Sequence, residues 1–107
     1  MLRARLFGLL LLVASPAFAQ TDEAPSSKGY RDAMTKMHAG MMIPYTGDAD
    51  RDFVAGMIAH HQGAIDMAKV ELQYGKDPQL RRLARNIIAA QQKEIAFMQA
   101  WQAKHAK

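Results

Sequence analysis

The sequence predicts an all-α helical bundle, a short first helix packed on a long antiparallel helical hairpin. Three observations predict it. Apolar residues recur at steps of three and four in three segments, capping and breaking residues separate those segments, and no stretch alternates with the period of two that a half-buried strand requires.

The segment from Gln20 to Lys28, QTDEAPSSK, is polar, contains Pro25 and lacks an apolar repeat, so it is expected to be a flexible lead-in. The helical domain is expected to span 29–107. Tyr30, Met34, Met37 and Met41, with His38 among them, share one face of a first helix, which Pro44 and Gly47 stop. Asp48, Asp50 and Asp52 suit the cap and first turn of a second helix, where carboxylates accept orphan N–H groups and face the positive end of the dipole. That helix runs to Tyr74, with Gly75 as its C-terminal cap. Asp77 followed by Pro78 is an N-cap with proline at the first helical position, so a third helix starts at once. Its inner stripe is Leu80, Leu83, Ile87, Ala90, Glu94, Met98 and Trp101. The short link between the two long helices forces a hairpin, each arm roughly 38 Å long at 1.5 Å per residue. One short and two long helices expose more inner surface than such a chain can easily cover, so a fourth helix or a second copy of the chain, as a homodimer, is expected to complete the bundle.

Ahead of the helices, Met1 to Arg5 is basic, Leu6 to Ala14 is apolar, and the run from Pro16 to Ala19 offers an A-x-A cleavage pattern. This layout predicts a signal peptide over residues 1–19 and a periplasmic protein. The apolar run is less than half of the ~20 residues a spanning helix needs, so no stable membrane insertion is expected. The chain contains no cysteine, which excludes disulfides, thiolate metal sites and covalent haem attachment. Arg3 and Arg5 supply two of the 14 basic residues against 10 acidic ones, so the net charge of +4 falls to +2 without them. That excess is too small to point to nucleic acid, and Arg81, Arg82 and Arg85 are expected to form a solvated face.

Seven of the eight methionines follow the signal segment, and His38, His60 and His61 each have a methionine within four residues. On the first helix Met34, Met37, His38 and Met41 sit at i, i+3, i+4 and i+7, placing three thioethers and an imidazole within roughly a 100° arc. A plain core would use Leu, Ile or Val there, and almost none is present. On the second helix Met57 and His61 are one turn apart on one face. His60 lies about 100° from His61 around the axis, so one binds while the other supports, or each serves a different site. Met67 is about 15 Å beyond Met57 along the axis and by spacing alone reads as core. Folding about Lys76 sets Met57 opposite Ile95 and His61 opposite Gln91, with Glu94 and Met98 within a turn of both. Folding about Thr46 sets His38 opposite Val54 and Met34 opposite Ile58. The donors of all three helices are therefore expected in one layer, away from the Gly75 turn.

Thioethers are soft, neutral donors and imidazole is intermediate, a set suited to Cu(I) or Ag(I), with Cu(II) left open, and unsuited to Mg, Ca or Mn. In an oxidising compartment thioethers remain available where thiols are lost to disulfides. Glu94 is expected either to accept from the distal ring nitrogen of His60 or His61, supporting the ligand, or to face water at the rim. A carboxylate-bridged di-iron site needs Glu-x-x-His pairs, and none occurs. His60-His61-Gln62 lacks the Glu and second His of a zinc-protease motif. Trp101 is expected to anchor the end of the bundle, and His105 to be exposed.

The run from Asp52 to Ala68, with Met57, His60, His61 and Met67 at its chemical positions, followed by Gln91-x-x-Glu94-Ile95-x-x-Met98, resembles the DUF305 family of exported bacterial proteins. The resemblance covers Gly29 to Trp101. It implies a ferritin-like helical bundle in the periplasm, with copper binding and a role in copper tolerance. Carried over, the family's pattern falls on Met57, His60, His61, Met67 and Met98, and on Met37, His38 and Met41 of the first helix. Ala59 stands where many relatives carry proline, which alters local helix geometry without removing a ligand.

The expected function is a non-enzymatic binding protein that captures, buffers or hands on Cu(I), with a periplasmic copper-transfer partner as a corollary. Two alternatives are a carrier of non-covalent b-type haem and a metal-independent periplasmic chaperone or adaptor with a Met-rich surface.

Overall fold

The computed structural model describes residues 22–106 together with residue 14; the predicted signal segment, 1–19, otherwise lies outside the described residues. It is all helical: α1 (Pro25–Met41), α2 (Ala49–Tyr74) and α3 (Pro78–Lys104), with no strand among the described residues. No described helix is long and apolar enough to cross a membrane.

Helix α1 begins within the segment expected to be a lead-in. Pro25 opens the helix at its first turn, where the N–H it lacks would have no partner anyway. Lys28 and Asp32 pair one turn apart, and Arg31 pairs with Glu23 ahead of the helix. The bond with Asp32 raises the ammonium pKa of Lys28. Past Met41 the chain runs through Pro44 to Gly47, whose φ of +87° lies in the region that favours glycine.

Helix α2 is capped as the sequence predicts. The carboxylate of Asp48 accepts from the backbone N–H groups of Asp50 (3.0 Å) and Arg51 (3.2 Å). Asp52 reaches back to take the backbone and hydroxyl of Thr46, both at 2.9 Å, and the backbone of Gly47 at 3.3 Å. The Thr46 backbone bond is the main cause holding its carboxyl below the ordinary value. At the other end Gly75 is the cap, in an extended conformation with φ −70°. Arg81 donates to the carbonyls of Leu72 (2.7 Å) and Gly75 (3.0 Å), satisfying acceptors that the helix end leaves open. Asp77 caps α3 by accepting from Leu80 at 2.9 Å, with Pro78 in the first turn.

Helix α2 is the middle member, with α1 and α3 packed on it and sharing no close backbone approach with each other. The core is thin: Ala33, Val54, Ile65, Ala68, Val70, Ala84 and Met98 are buried, and no described side chain is wholly enclosed. On α3 the expected stripe is only partly inside. Ala84 and Met98 are buried, Ile87 and Trp101 half-buried, while Leu80, Leu83, Ala90 and Glu94 are exposed because no further layer covers that side.

The seam between α1 and α2 uses small residues for close approach. A Cβ on Gly63 would stand 2.6 Å from the sulfur of Met37; one on Gly40 would meet Ala59, and one on Gly29 would meet Val70, each at 3.0 Å. These pairs fix a register that corrects the one expected from folding about Thr46. Met37 lies against Gly63, about two turns further along α2, and His38 and Met34 move with it away from Val54 and Ile58. The connection explains the shift. Extended backbone rises about 3.3 Å per residue against 1.5 Å in a helix, so the link from Met42 to Asp48 runs back alongside the first turns of α2. Ile43, Pro44 and Thr46 accordingly border a groove with Arg51, Asp52 and Ala55. The α2–α3 register stays within a turn of expectation: His61 meets Glu94, which sets Met57 level with Met98.

Candidate metal centre

Helical repeat places Met57 and His61 one turn apart on α2, and the hairpin register brings Glu94 and Met98 of α3 to the same level. Met98 is buried, Met57 and His61 half-buried, and His60 exposed. The two imidazoles stand 6.3 Å apart between centroids with their planes inclined by 64°, so they address different surroundings.

His61 is the histidine with a support. Its Nε2 is bonded to the Glu94 carboxylate, while its Nδ1 is buried and has no partner. A carboxylate on one ring nitrogen fixes the orientation and tautomer of the ring and leaves the other nitrogen for a ligand. Glu94 joins both roles foreseen for it, since it holds His61 while its own side chain stays more than half exposed. The orphaned Nδ1 is an observation that a bound ion would explain, because a buried polar atom without a partner costs about 1–3 kcal/mol.

Gln91, expected opposite His61, lies one turn along α3 from the contact between His61 and Glu94. Its Oε1 is also buried without a partner.

The first-helix donors are spread along the axis. By the α1–α2 register Met41 is level with Ala59, near the layer of Met57 and His61, whereas Met34 is level with Met67, two turns away. The single layer expected from all three helices therefore divides. Met67, read by spacing as core, is exposed and shares a level with Met34. Met37 is half-buried over Gly63, and His38 is exposed.

Among the described residues no group of three or more His, Cys, Asp or Glu is placed to hold a metal ion. A site here needs thioethers to complete a coordination shell. Trp101 stacks on His105 at 4.1 Å near the end of α3, so His105, though exposed, is tied to the helix rather than free.

The matching family model, described as a domain of unknown function (DUF305), covers residues 11–102 and so reaches further toward the N-terminus than the expected domain limit at 29. An uncharacterized protein, L153, of Acanthamoeba polyphaga mimivirus is 45% identical over 49 residues, 46% of this chain. The match spans 32% of that relative's own length. The chain belongs to the DUF305 family.

Proposed function

We propose that this protein is an exported, periplasmic, non-enzymatic binder of Cu(I), or of Ag(I) as its soft analogue, that captures or buffers the ion and contributes to copper tolerance. The observation that carries the reading is His61, held by Glu94 through Nε2 with Nδ1 buried and unpartnered, at the level of Met57 and Met98. A two-thioether, one-imidazole set is soft and carries no charge, which favours a monovalent soft ion over Zn, Mn or Mg. By the α1–α2 register His38 is level with His61 and Met41 with Ala59, so both lie within a turn of this centre, while Met34, Met37, His60 and Met67 are further candidate donors along the helices.

A titration of Cu(I) against a competing chelator tests this. The wild type holds Cu(I) against the competitor, and Met57→Leu combined with His61→Ala loses at least one equivalent of tight binding. Unchanged binding in the double variant removes the site. A Soret absorption band in protein purified with haem supplied would instead support the haem-carrier alternative.

A further inference from the structure

The three helices lie side by side, and the two broad sides of the layer differ in chemistry. One side carries Lys36, Gln62, Asp66 and Gln99 among small and apolar residues such as Ala55, Ile58 and Ile95, with Lys36 and Asp66 paired at 3.7 Å and Gln62 donating to Asp66 at 3.0 Å. The other bears a groove of about 300 Å³ across all three helices, bordered by Tyr30, Ala64, Met67, Leu80, Leu83 and Ile87 among others, with Glu71 as its one charged side chain.

Each helix presents a seven-residue repeat to that apolar side, by steps of three and four. On α1 it is Tyr30, Met34 and Met41; on α2 Phe53, Met57, His60, Ala64, Met67 and Glu71; on α3 Leu80, Leu83, Ile87, Ala90, Glu94 and Phe97. A repeat of seven is the pattern of helices that interdigitate with other helices across a seam. Among the described residues this seam has no partner. Phe53 is 61% exposed, Leu80 and Leu83 52%, Met34 43% and Met67 42%.

We propose that this apolar side is covered by a second copy of the chain, giving a two-layer dimer of six helices. The occupant is helical because the exposed residues recur with the helix-packing period on all three elements. It is a second copy because the surface runs over all three helices and its repeats carry only Glu71 and Glu94 as charged side chains. Its large apolar side chains expose on the order of 600 Å², at the upper end of what a monomer leaves open and approaching the ~800 Å² per partner of a stable interface. The opposite side, with its ion pair and glutamines, remains the solvent face. The inference rests on burial, and because Met41, Met57, His60 and Glu94 lie on the covered side, the metal centre proposed above borders the interface; the oligomeric state is read with no metal added.

Sedimentation of the protein over a range of concentrations gives the first reading, with a mass of two chains expected. Leu83→Glu places a charge in the seam without touching the buried core and yields a monomer with unchanged helix content. The absence of native cysteine permits a second reading that needs no disruptive change. Leu83→Cys is labelled by a thiol reagent about tenfold more slowly than Gln99→Cys, since residues at the centre of an interface are desolvated. If Leu83→Glu fails to fold, the labelling ratio decides. A monomeric wild type at ~100 µM, well above the Kd of a stable interface, or equal labelling of the two cysteines, overturns the proposal. So does a monomer that sediments with phosphatidylcholine vesicles, which would make the occupant lipid.

Discussion

His60 and His61 are adjacent in the chain and differ in every property that decides ligation. The 100° step of the helix turns His61 toward α3, where Glu94 engages one nitrogen and burial isolates the other, and leaves His60 exposed. Glu94→Gln tests the support directly. The amide keeps an acceptor oxygen and loses the negative charge, so Cu(I) affinity should fall about 10- to 100-fold, as loss of an outer-shell carboxylate typically produces. Unchanged affinity by chelator competition, with intact helix content, would show that Glu94 is a rim residue. The i,i+4 pairing of Met57 with His61 and the neighbourhood of Glu94 and Met98 were legible in the sequence, because helical geometry and a short hairpin set them. Gln91 was legible only as a neighbour of His61, because an amide becomes informative when its burial without a partner is seen.

At the scale of elements, the capping residues act as their chemistry requires. Asp48 and Asp77 bind the first free N–H groups of α2 and α3, and Asp52 ties Thr46 and Gly47 to the start of α2. The carboxyl of Asp52 titrates below its ordinary value of 3.8, with the backbone bond from Thr46 as the leading cause. A carboxyl depressed in the folded state stabilises the fold above its unfolded pKa, and that contribution is lost as the pH falls through the folded value. Asp52→Asn should therefore melt below the wild type at pH 7, and the gap should close below about pH 4. A gap that does not narrow as the pH falls below about 4 would place the effect in packing rather than in charge. The early start of α1 and the α1–α2 register were the element-level features that sequence reasoning misplaced. Pro25 belongs to α1 because proline is welcome in the first helical turn, and the link after Met41 runs extended past Pro44 instead of folding back about Thr46. Arg81, expected on a solvated basic face, instead clasps the α2–α3 corner through two backbone carbonyls.

For the molecule as a whole, thinness is the dominant property. A layer one helix deep buries mainly small or medium side chains at its two seams and leaves Phe53, Leu80 and Leu83 open on one side. If a second copy covers that side, folding and association are linked, and the melting temperature depends on concentration. A rise of roughly 3–5 °C per tenfold increase in protein is expected for a dimer of chains this size, against none for a monomer. A melting temperature that stays constant over two decades of concentration would contradict the assembly.

The sequence alone determined the three helices, their caps, the hairpin, and the identity of the donors, because helix boundaries and i,i+4 neighbours depend on residues close together in the chain. It also contained the seven-residue repeats, which become significant only when the side they occupy is found open. Tertiary structure decided which histidine meets Glu94, how far α1 slides along α2, and which face lacks a partner. Each of these depends on contacts between residues far apart in sequence, such as Met37 over Gly63, and on the path of an extended link whose reach no local pattern encodes.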